Sequence, residues 1–403
     1  MSSIKKIGMI LDKKLPDLRV ENEADLLGNA GFEVIIFSLD NRIRKSYYEK
    51  KKNYLVYHKS CPKWYVDKLR PFSGTILDIY SILWWQLIKA FIMREEIDIL
   101  HVHDLYMAVP LIGKKFPFVV DLHENYPETV VTYNWSNRFP LNYILNKKIW
   151  KEKEKKILSD AEGIVVLSEN YAIQLKKEYS DMSLDSKFCV YSNVPDLTML
   201  KNLETKRSIY NETGKFTVFY FGVIGERRGI FECFEMIKTL RNTISELHLL
   251  LVGPVDNADK QKFYTYLKDL KELVTYIEWI NFQDFAALIK NVDICISPIK
   301  KNPQHESGVA NKIFQYMYFE KPLIVSNCLP QEEIVINNKC GYVYKSGNAD
   351  NLAEIVKLAY KDQTSFKEMG KRAKEAVKTK YNTKVMGENL VNFYREYVDR
   401  KMK

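Results

Sequence analysis

Residues 216–230 read FTVFYFGVIGERRGI, an apolar run that passes directly into a turn rich in glycine and arginine. The apolar run, Phe216–Phe221, is predicted to be a buried strand, because short apolar runs bounded by turn signals are typical of parallel sheets. A helix is predicted to begin at Ile230. This strand–turn–helix unit predicts an α/β domain with a parallel sheet.

The turn itself carries the residues expected of an anion site. Gly222 and Gly225 allow the backbone to approach a ligand closely, and the start of the following helix offers unsatisfied N–H groups. Arg227 and Arg228 add guanidinium groups, whose planar donors fit phosphate oxygens. The arrangement favours a diphosphate; the alternative is a tight turn with solvated arginines. It is not a Walker loop, because the sequence contains no GxxxxGK(S/T) motif.

The same alternation of apolar runs and amphipathic stretches extends over most of the chain. It breaks between about Ser192 and Lys215, where turn-forming residues cluster as in a linker, and then restarts. We therefore expect a domain at 1–192, a second at 193–380, and a separate helix in 381–403 that packs back on the first domain. The predicted strands are Lys6–Leu11, Phe32–Ser38, Ile97–Val102, Phe116–Leu122, Gly163–Leu167, Phe216–Phe221, His248–Val252, Thr275–Trp279, Val292–Ser297 and Leu323–Val325.

A second candidate anion site lies at residues 306–317, ESGVANKIFQYM, after another predicted buried strand. Glu306 and Gly308 precede a predicted helix, and Asn311 and Lys312 lie at its start. Ligands of open α/β sheets bind at the carboxyl ends of the strands, so this segment and the glycine-rich turn would hold one diphosphate from two sides. The alternative is an ordinary helix start at the surface.

In the first half, two polar clusters follow predicted strands. His103 and Asp104 close the segment HVHD, and His123 and Glu124 close the segment DLHE. Both clusters fall at strand ends, where parallel sheets place their binding residues. The sequence contains no HExxH helix, and the spacing of these groups does not establish a metal site.

Length and composition place the chain among globular proteins. Its 403 residues suffice for two domains, with 46% hydrophobic and 28% charged residues. The net charge is +10, and residues 42–70 hold ten Lys or Arg against Glu49 and Asp67, interleaved with six Tyr or Trp. This basic aromatic patch is compatible with nucleic acid, an anionic membrane surface or a polyanionic substrate; the favoured interpretation is a solvated face over one strand near Tyr54–Tyr57. Nucleic acid is not an expected partner, because no reader motif is present.

The cysteines and the apolar segments indicate a cytoplasmic protein. None of the six cysteines forms a CxxC pair or a zinc spacing with histidine, and most lie in apolar runs. No signal peptide is recognisable at the N-terminus. The apolar stretch Ile76–Met93 is interrupted by Asp78, Gln86 and Lys89, so it is too polar to span a membrane. Any membrane contact is expected to be peripheral.

The order of these motifs resembles family 4 of the retaining glycosyltransferases, which have the two-domain fold called GT-B. The similarity runs over essentially the whole chain. In the first half it covers Pro16–Val20 with Glu23-Ala24 (PDxRVxxEA in the family), Gly31–Val34 (GHEV), Asp98–Asp104 (DVVHAHD), Asp121–Glu124 with Pro127-Glu128 (DxHExxPE) and Val165–Glu169 (VxxVSE). In the second half it covers Gly222–Ile230 (GxIxxxRGI) and Asn311–Met317 (NKLFEYM).

The resemblance implies a retaining, metal-independent glycosyltransferase without a cofactor, with two Rossmann-like domains facing a central cleft. His123 matches the active-site histidine near the donor sugar, and Arg228 and Lys312 match the basic residues that neutralise the donor diphosphate. The resemblance places four residues on the acceptor side of the cleft: Arg19, His103, Asp104 and Glu124.

Two positions depart from the family's Glu-x7-Glu element. Gln315 stands where the second Glu usually holds the ribose. Ser307 stands where the first Glu would fall, with Glu306 adjacent. Gln315 is thus an expected donor-binding residue with an amide in place of a carboxylate.

The implied substrates are a UDP- or GDP-sugar donor and a glycan or lipid-linked acceptor of cell-surface polysaccharide synthesis in bacteria. A departing nucleoside diphosphate builds negative charge, which fixed cations and helix N-termini stabilise without a metal. Two alternatives stay open. A nucleotide-sugar epimerase would need carboxylate acids and bases that the sequence does not place. A non-catalytic partner subunit of the same fold is favoured by Gln315 and opposed by His123, Arg228 and Lys312.

Overall fold

The structure, a computed structural model, describes residues 6–65, 69, 78–132, 146–203 and 214–402. The chain divides into two compact units. Unit 1 comprises Met1–Ser192 and Met386–Lys403, and unit 2 comprises Asn193–Val385. Each unit is built on its own sheet with helices between most successive strands, which confirms the predicted α/β fold class of two Rossmann-like domains.

Unit 1 is built on eight strands among the described residues. They are β1 Lys6–Leu11, β2 Glu33–Asp40, β3 Tyr47–Lys50, β4 Leu55–Ser60, β5 Ile99–His103, β6 Phe118–Asp121, β7 Gly163–Val166 and β8 Phe188–Val190. They form one sheet in the order β3-β4-β2-β1-β5-β6-β7-β8, parallel except for the antiparallel pair β3–β4. The helices before the second unit are Leu18–Asn29, Ile79–Glu95, Leu105–Ala108, Tyr126–Thr132, Lys147–Asp160 and Glu169–Glu178.

The helix Leu18–Asn29 shows how the local sequence sets an element of unit 1. Asp17 caps its start by accepting hydrogen bonds from the backbone N–H groups of Arg19 and Val20. The buried residues Val20, Ala24 and Leu27 recur at helical spacing and pack on the sheet. The cap and the periodicity fix both where the helix begins and which side faces the core. Arg19, in the first turn of this helix, therefore lies at the carboxyl edge of the sheet.

The last helix of the chain, Thr383–Met402, packs with unit 1 from Met386 onward. The hydroxyl of Tyr394 lies 2.7 Å from His101 Nδ1 on β5. The ring of Phe393 packs so closely on Gly163 of β7 that a Cβ there would lie 2.1 Å from it. Unit 1 is thus assembled from two stretches of chain far apart in sequence.

Unit 2 has a six-stranded sheet among its described residues. The strands are β9 Phe216–Phe221, β10 Leu247–Val252, β11 Val274–Ile277, β12 Ile294–Ser297, β13 Leu323–Ser326 and β14 Gly341–Tyr344. Their order is β11-β10-β9-β12-β13-β14, and every described pair is parallel. The helices are Leu197–Leu203, Ile230–Leu240, Lys260–Asp269, Phe282–Ile289, Asn311–Tyr318, Leu329–Asn338, Ala349–Lys361 and Gln363–Thr379.

The strands that apolar runs do not predict are β3, β8 and β14. They are three or four residues long, and most of their residues are partly exposed, so they lack the buried apolar run of the central strands. All six cysteines are buried. In the part of the chain that the structure describes, no helix is both long and apolar enough to cross a membrane.

Candidate active site

The two polar clusters predicted in the first half meet at the carboxyl edge of the unit 1 sheet. Strands β5 and β6 are parallel neighbours, and His103 pairs in register with Asp121. His103 Nδ1 lies 3.2 Å from His123 Nε2, which lies 2.8 Å from Asp121 Oδ2. Asp104, at φ 72°, places its carboxylate 3.7 Å from His123 Nδ1. The structure therefore brings the predicted residues His103 and Asp104 together with His123.

Arg19 binds the Asp121 carboxylate of this cluster. Its guanidinium donates two hydrogen bonds to the Asp121 carboxylate, at 2.7 and 2.8 Å, and a third to the backbone oxygen of Tyr191. Glu23, one turn along the same helix, lies 3.1 Å from Arg19 Nε. All of these charged side chains are buried, so each charge depends on its neighbours rather than on water.

The charges fix the protonation of the two neighbouring imidazoles differently. Burial alone would lower the pKa of His123, but Asp104 and Asp121 outweigh it and raise that pKa to about 9. Burial lowers the pKa of His103 to about 4. Burial would raise the pKa of Asp121, yet Arg19 and His123 hold it well below its ordinary value. At neutral pH His123 is an imidazolium and His103 is neutral.

Four buried side chains near this cluster offer metal-ligand atoms within 4.8 Å of one another: Glu23, His101, His103 and Asp121. The donor set suits a divalent transition metal by type. However, Arg19 already bonds both carboxylates, and His101 lies 3.0 Å from Glu23 Oε2. A metal ion would have to displace that guanidinium, so these residues fit a metal poorly. The expectation of metal independence stays a prediction.

Two further residues lie at this edge, and the predicted role of Glu124 in the cleft stays a prediction. Glu124, predicted to line the cleft, accepts a hydrogen bond from the Tyr171 hydroxyl through its backbone oxygen at 3.5 Å. Asp12, which follows β1 at the same sheet edge, is buried and accepts hydrogen bonds from the hydroxyls of Tyr80 and Tyr106 at 2.5 and 2.9 Å. Asp12 was missed because it stands alone, although its position at a strand end was the available signal.

In unit 2, the two predicted anion segments converge at the end of β9. Gly222 has φ 135°, and a Cβ there would lie 3.1 Å from the ammonium nitrogen of Lys312, 90 residues later in the chain. That nitrogen also lies 3.7 Å from the ring centroid of Tyr220. The positive φ favours glycine, and the absence of a Cβ leaves room for the lysine. The turn thus brings the Gly222 backbone close to the Lys312 ammonium.

The rest of the turn is equally constrained. Residues 226–228 form a short 3-10 turn, and Gly229, at φ 71°, begins the helix Ile230–Leu240. A Cβ at Gly229 would lie 1.8 Å from the backbone oxygen of Pro298, and one at Gly225 would lie 2.6 Å from an Asp259 oxygen. These contacts hold Arg228 next to the helix start.

The cations of this turn differ in their partners. Arg227 lies 3.6 Å from Asp256. Within the described ranges, neither Arg228 nor Lys312 has an acidic partner. Burial, with a smaller contribution from Arg228, holds the pKa of Lys312 well below its ordinary value. Two neighbouring cations therefore repel each other at a helix N-terminus, an arrangement that an anion would complete.

The remaining predicted donor residues lie around the start of the helix Asn311–Tyr318. Asn311 is its first residue, and Gln315 is half-buried one turn after Lys312. Glu306 is engaged elsewhere, since its carboxylate accepts a hydrogen bond from Leu329 N at 2.9 Å and so caps the helix Leu329–Asn338. Their binding roles, like that of half-buried Gly308, stay predictions.

Two family profiles match the chain, one on each side of the linker. Residues 19–188 match the family described as Glycosyltransferase Family 4. Residues 202–376 match the family described as Glycosyl transferases group 1. Among curated relatives, the chain is 21% identical over 185 residues to the capsular polysaccharide biosynthesis glycosyltransferase CapM of Staphylococcus aureus. That match covers 45% of this chain and 47% of CapM, so it spans about half the length of the relative.

Solved structures share the fold over nearly the whole chain. Sucrose-phosphate synthase from Thermosynechococcus elongatus superposes with a TM-score of 0.75 at 16% identity, covering 98% of this chain and 100% of that one. The E. coli trehalose-6-phosphate structure bound with UDP-2-fluoro glucose gives a TM-score of 0.68 at 11% identity, covering 98% of each chain. At these identities the likeness establishes the fold alone.

Proposed function

The chain belongs to family 4 of the glycosyltransferases, and from that premise we propose that it transfers a sugar from a nucleotide-sugar to an acceptor, with the donor diphosphate held by unit 2. One observation carries the proposal: Lys312 and Arg228 lie beside the glycine turn without an acidic partner in the described residues. A diphosphate would supply the missing negative charge. It would also bring both cations to the point where charge develops as the sugar leaves.

The donor is proposed to be a UDP- or GDP-sugar. The uridine nucleotide has support from the related fold, since the E. coli structure holds UDP-2-fluoro glucose. Gly222, Gly225 and Gly308 would let the backbone approach the diphosphate, and Asn311 and Gln315 lie on the helix that follows. Gln315 is proposed to bind the ribose hydroxyls of the donor.

His123 is proposed to act near the donor sugar. As an imidazolium held by Asp104 and Asp121, it would donate a hydrogen bond to a sugar oxygen rather than remove a proton. We propose retention of the anomeric configuration, which the resemblance to family 4 implies. No side chain of this cluster is an unpaired carboxylate placed to act as a nucleophile among the described residues, so the acceptor would attack from the face on which the leaving group departs. A His123→Ala protein should stay folded and lose turnover.

The acceptor is proposed to be a glycan or a lipid-linked glycan of cell-surface polysaccharide synthesis. The support is the likeness to CapM, which is named for capsular polysaccharide biosynthesis. A bacterial, cytoplasmic setting with peripheral membrane contact through the basic aromatic patch, residues 42–70, accords with that acceptor. Of this patch, residues 66–68 and 70 lie outside the described residues.

Donor binding and hydrolysis test the proposal. A panel of UDP-, GDP- and other nucleotide-sugars is screened by thermal unfolding, where a donor at a hundred times its dissociation constant adds about 2.7 kcal/mol of stability. The stabilising donor should then release its nucleoside diphosphate, with a chelator present as well as without one. NMR of the product should show the donor's anomeric configuration. Absence of stabilisation by every donor overturns the proposal; binding without release identifies a non-catalytic subunit.

A further inference from the structure

An exposed tryptophan stands at the carboxyl edge of the unit 2 sheet. Trp279 is 76% exposed, the highest fraction among the large apolar side chains of the described residues. It follows the strand β11, Val274–Ile277, and precedes the helix Phe282–Ile289. One exposed apolar side chain is ordinary on a protein surface. This one, however, lies at the edge where open parallel sheets bind their ligands, so its position favours a contact with a ligand.

The backbone joins this position to the glycine turn after β9. Gly222 N donates a hydrogen bond to Val252 O at 2.9 Å, at the end of β10. The next residue of β10, Gly253, donates in turn to Ile277 O at 2.9 Å. A Cβ at Gly253, where φ is 137°, would lie 2.1 Å from the Gly222 oxygen, so no side chain separates the two strand ends. Neighbouring strands are about 4.8 Å apart, which puts the end of β11 roughly 10 Å from the turn.

That spacing suits the parts of a nucleotide. With a diphosphate at the Gly222 turn, a ribose covers the interval between β9 and β11, and the base then reaches the loop that carries Trp279. Aromatic side chains bind bases by stacking, and because every base has a π-face this contact tolerates any base. Trp279 therefore accounts for affinity toward a nucleotide but not for a choice among nucleotides.

The residue before the tryptophan supplies a carboxylate that can make this choice. Glu278 is exposed, and no side chain of the described ranges forms a hydrogen bond or an ion pair with it. A carboxylate accepts hydrogen bonds and donates none, and its two oxygens can accept two at once. Its charge also repels phosphate. Glu278 thus suits a ligand edge with two adjacent N–H donors.

Among the nucleobases, guanine has such an edge. Its ring N1–H and its N2 amino group are neighbouring donors on the Watson–Crick edge. Uracil presents one N–H between two carbonyl oxygens, which a carboxylate repels. Adenine and cytosine present an amino group next to a ring nitrogen that only accepts. A carboxylate beside a stacking ring therefore favours guanine over the other three bases.

We propose that Trp279 stacks on the base of the donor and that Glu278 accepts hydrogen bonds from the guanine N1–H and N2 amino group, so that the donor is a GDP-sugar. The inference rests on the proposed transfer from a nucleotide-sugar and narrows its donor from two nucleotides to one. Uridine nucleotides lose both charge-assisted hydrogen bonds, so GDP binds at least about 10-fold more tightly than UDP.

Calorimetric titration of the full-length chain with GDP, UDP and ADP tests the choice of base. Glu278→Gln should lower GDP affinity on the order of 10-fold and leave UDP affinity nearly unchanged, so the preference for GDP disappears. The matched control is Glu272→Gln, which removes an exposed carboxylate before the opposite end of β11. The control should bind all three nucleotides as the wild type does.

The tryptophan gives an optical readout of stacking. Trp279 is the only tryptophan in the sequence after Trp150. GDP should quench its fluorescence. Trp279→Phe should abolish that quench yet keep GDP affinity within about threefold, because a phenyl ring still stacks on the base. Trp279→Ala should weaken GDP and UDP binding alike, on the order of 10–100-fold. Both side chains are exposed, so thermal unfolding of every variant should match the wild type.

UDP binding as tight as GDP binding overturns the inference, as does a GDP preference that survives in Glu278→Gln. Unchanged affinities in Trp279→Ala overturn the stacking and place the base elsewhere. Absence of binding by all three nucleotides overturns the proposed transfer and the inference with it, whereas binding with another base preference overturns the inference alone.

Discussion

The two candidate sites are both rich in cationic side chains, but they differ in whether those side chains have acidic partners. In unit 1, Arg19 and His123 are surrounded by buried carboxylates, so the cluster is neutralised by its own side chains. In unit 2, Arg228 and Lys312 have no acidic partner among the described residues. The first cluster is complete as it stands, whereas the second needs a ligand anion. Substitutions in unit 1 should therefore change stability, and those in unit 2 should change binding.

The largest expected effect comes from breaking the neutralised cluster. Arg19→Ala leaves the Asp121 and Glu23 carboxylates buried without their guanidinium, which should lower the free energy of unfolding by about 3–5 kcal/mol. Chemical denaturation measures the loss. The matched control is Arg42→Ala, which removes an exposed guanidinium that solvent can replace at Asp40 and should cost far less. Equal losses for the two variants would contradict the contrast.

Lys312→Ala should show the reverse pattern. Lys312 is repelled by Arg228 and attracted by the Tyr220 ring, so its removal should leave the free energy of unfolding within about 1 kcal/mol of the wild type. Donor affinity should fall on the order of 10–1000-fold, because a fixed charge on the diphosphate is lost. Arg228→Ala should behave alike. Calorimetric titration with UDP and GDP is the measurement, and Arg241→Ala, an exposed arginine of unit 2, is the control. Undiminished affinity in both variants would remove the phosphate assignment.

His123 gives the unit 1 cluster a pH dependence. Its pKa of about 9 lies above the ordinary value of 6.5, so the stabilisation is complete below about pH 6.5 and is lost as the pH rises through 9. The loss should be on the order of 3–4 kcal/mol. Denaturation between pH 6 and pH 10 (about the range that brackets both pKa values) should show this slope in the wild type but not in His123→Gln. An imidazole that titrates near its ordinary pKa by NMR would rule it out.

Gln315 carries the smallest expected effect. A carboxylate can accept hydrogen bonds from both ribose hydroxyls, whereas an amide has one acceptor oxygen. Gln315→Glu should therefore tighten donor binding by about 1–2 kcal/mol, or roughly tenfold, and Gln315→Ala should weaken it. The same titration compares the three proteins. Identical affinities would mean that the ribose is held elsewhere.

The sequence predicted most of the fold because the central strands are uninterrupted apolar runs. Strands such as β9 and β10 are buried on both faces, so period and composition alone identify them. Edge strands gave no such signal. Tyr47–Lys50 pairs antiparallel with β4 at the sheet edge and is mostly exposed, and nothing in the letters YYEK distinguishes it from a loop.

Site residues were predictable where they lie at the ends of strands. They were not predictable where they depend on contacts between residues far apart in sequence. The convergence of Lys312 on the turn at Gly222 followed from the rule that parallel strands end at one edge. By contrast, the double hydrogen bond from Arg19 to Asp121 joins residues 102 positions apart. The contact of His101 with Tyr394 joins residues 293 positions apart. Neither follows from local pattern, and the capping role of Glu306 was likewise invisible in sequence.

The packing of the last helix on unit 1 has a consequence for synthesis. Unit 2 is one continuous stretch of chain, so it can fold as soon as it has emerged from the ribosome. Unit 1 is interrupted, because its last segment begins at Met386. At ribosomal rates of about 5–20 residues per second, the N-terminal stretch waits roughly 10–40 s for that segment.

During that interval the surfaces around Gly163 and His101 lack Phe393 and Tyr394. The nascent chain thus carries an uncovered apolar surface for longer than a contiguous domain would, until residues 386–402 have been synthesised. A stop codon that removed only the final helix would leave that surface uncovered in the finished product. The stretch from residue 386 onward therefore decides whether the unit begun well before the linker is completed.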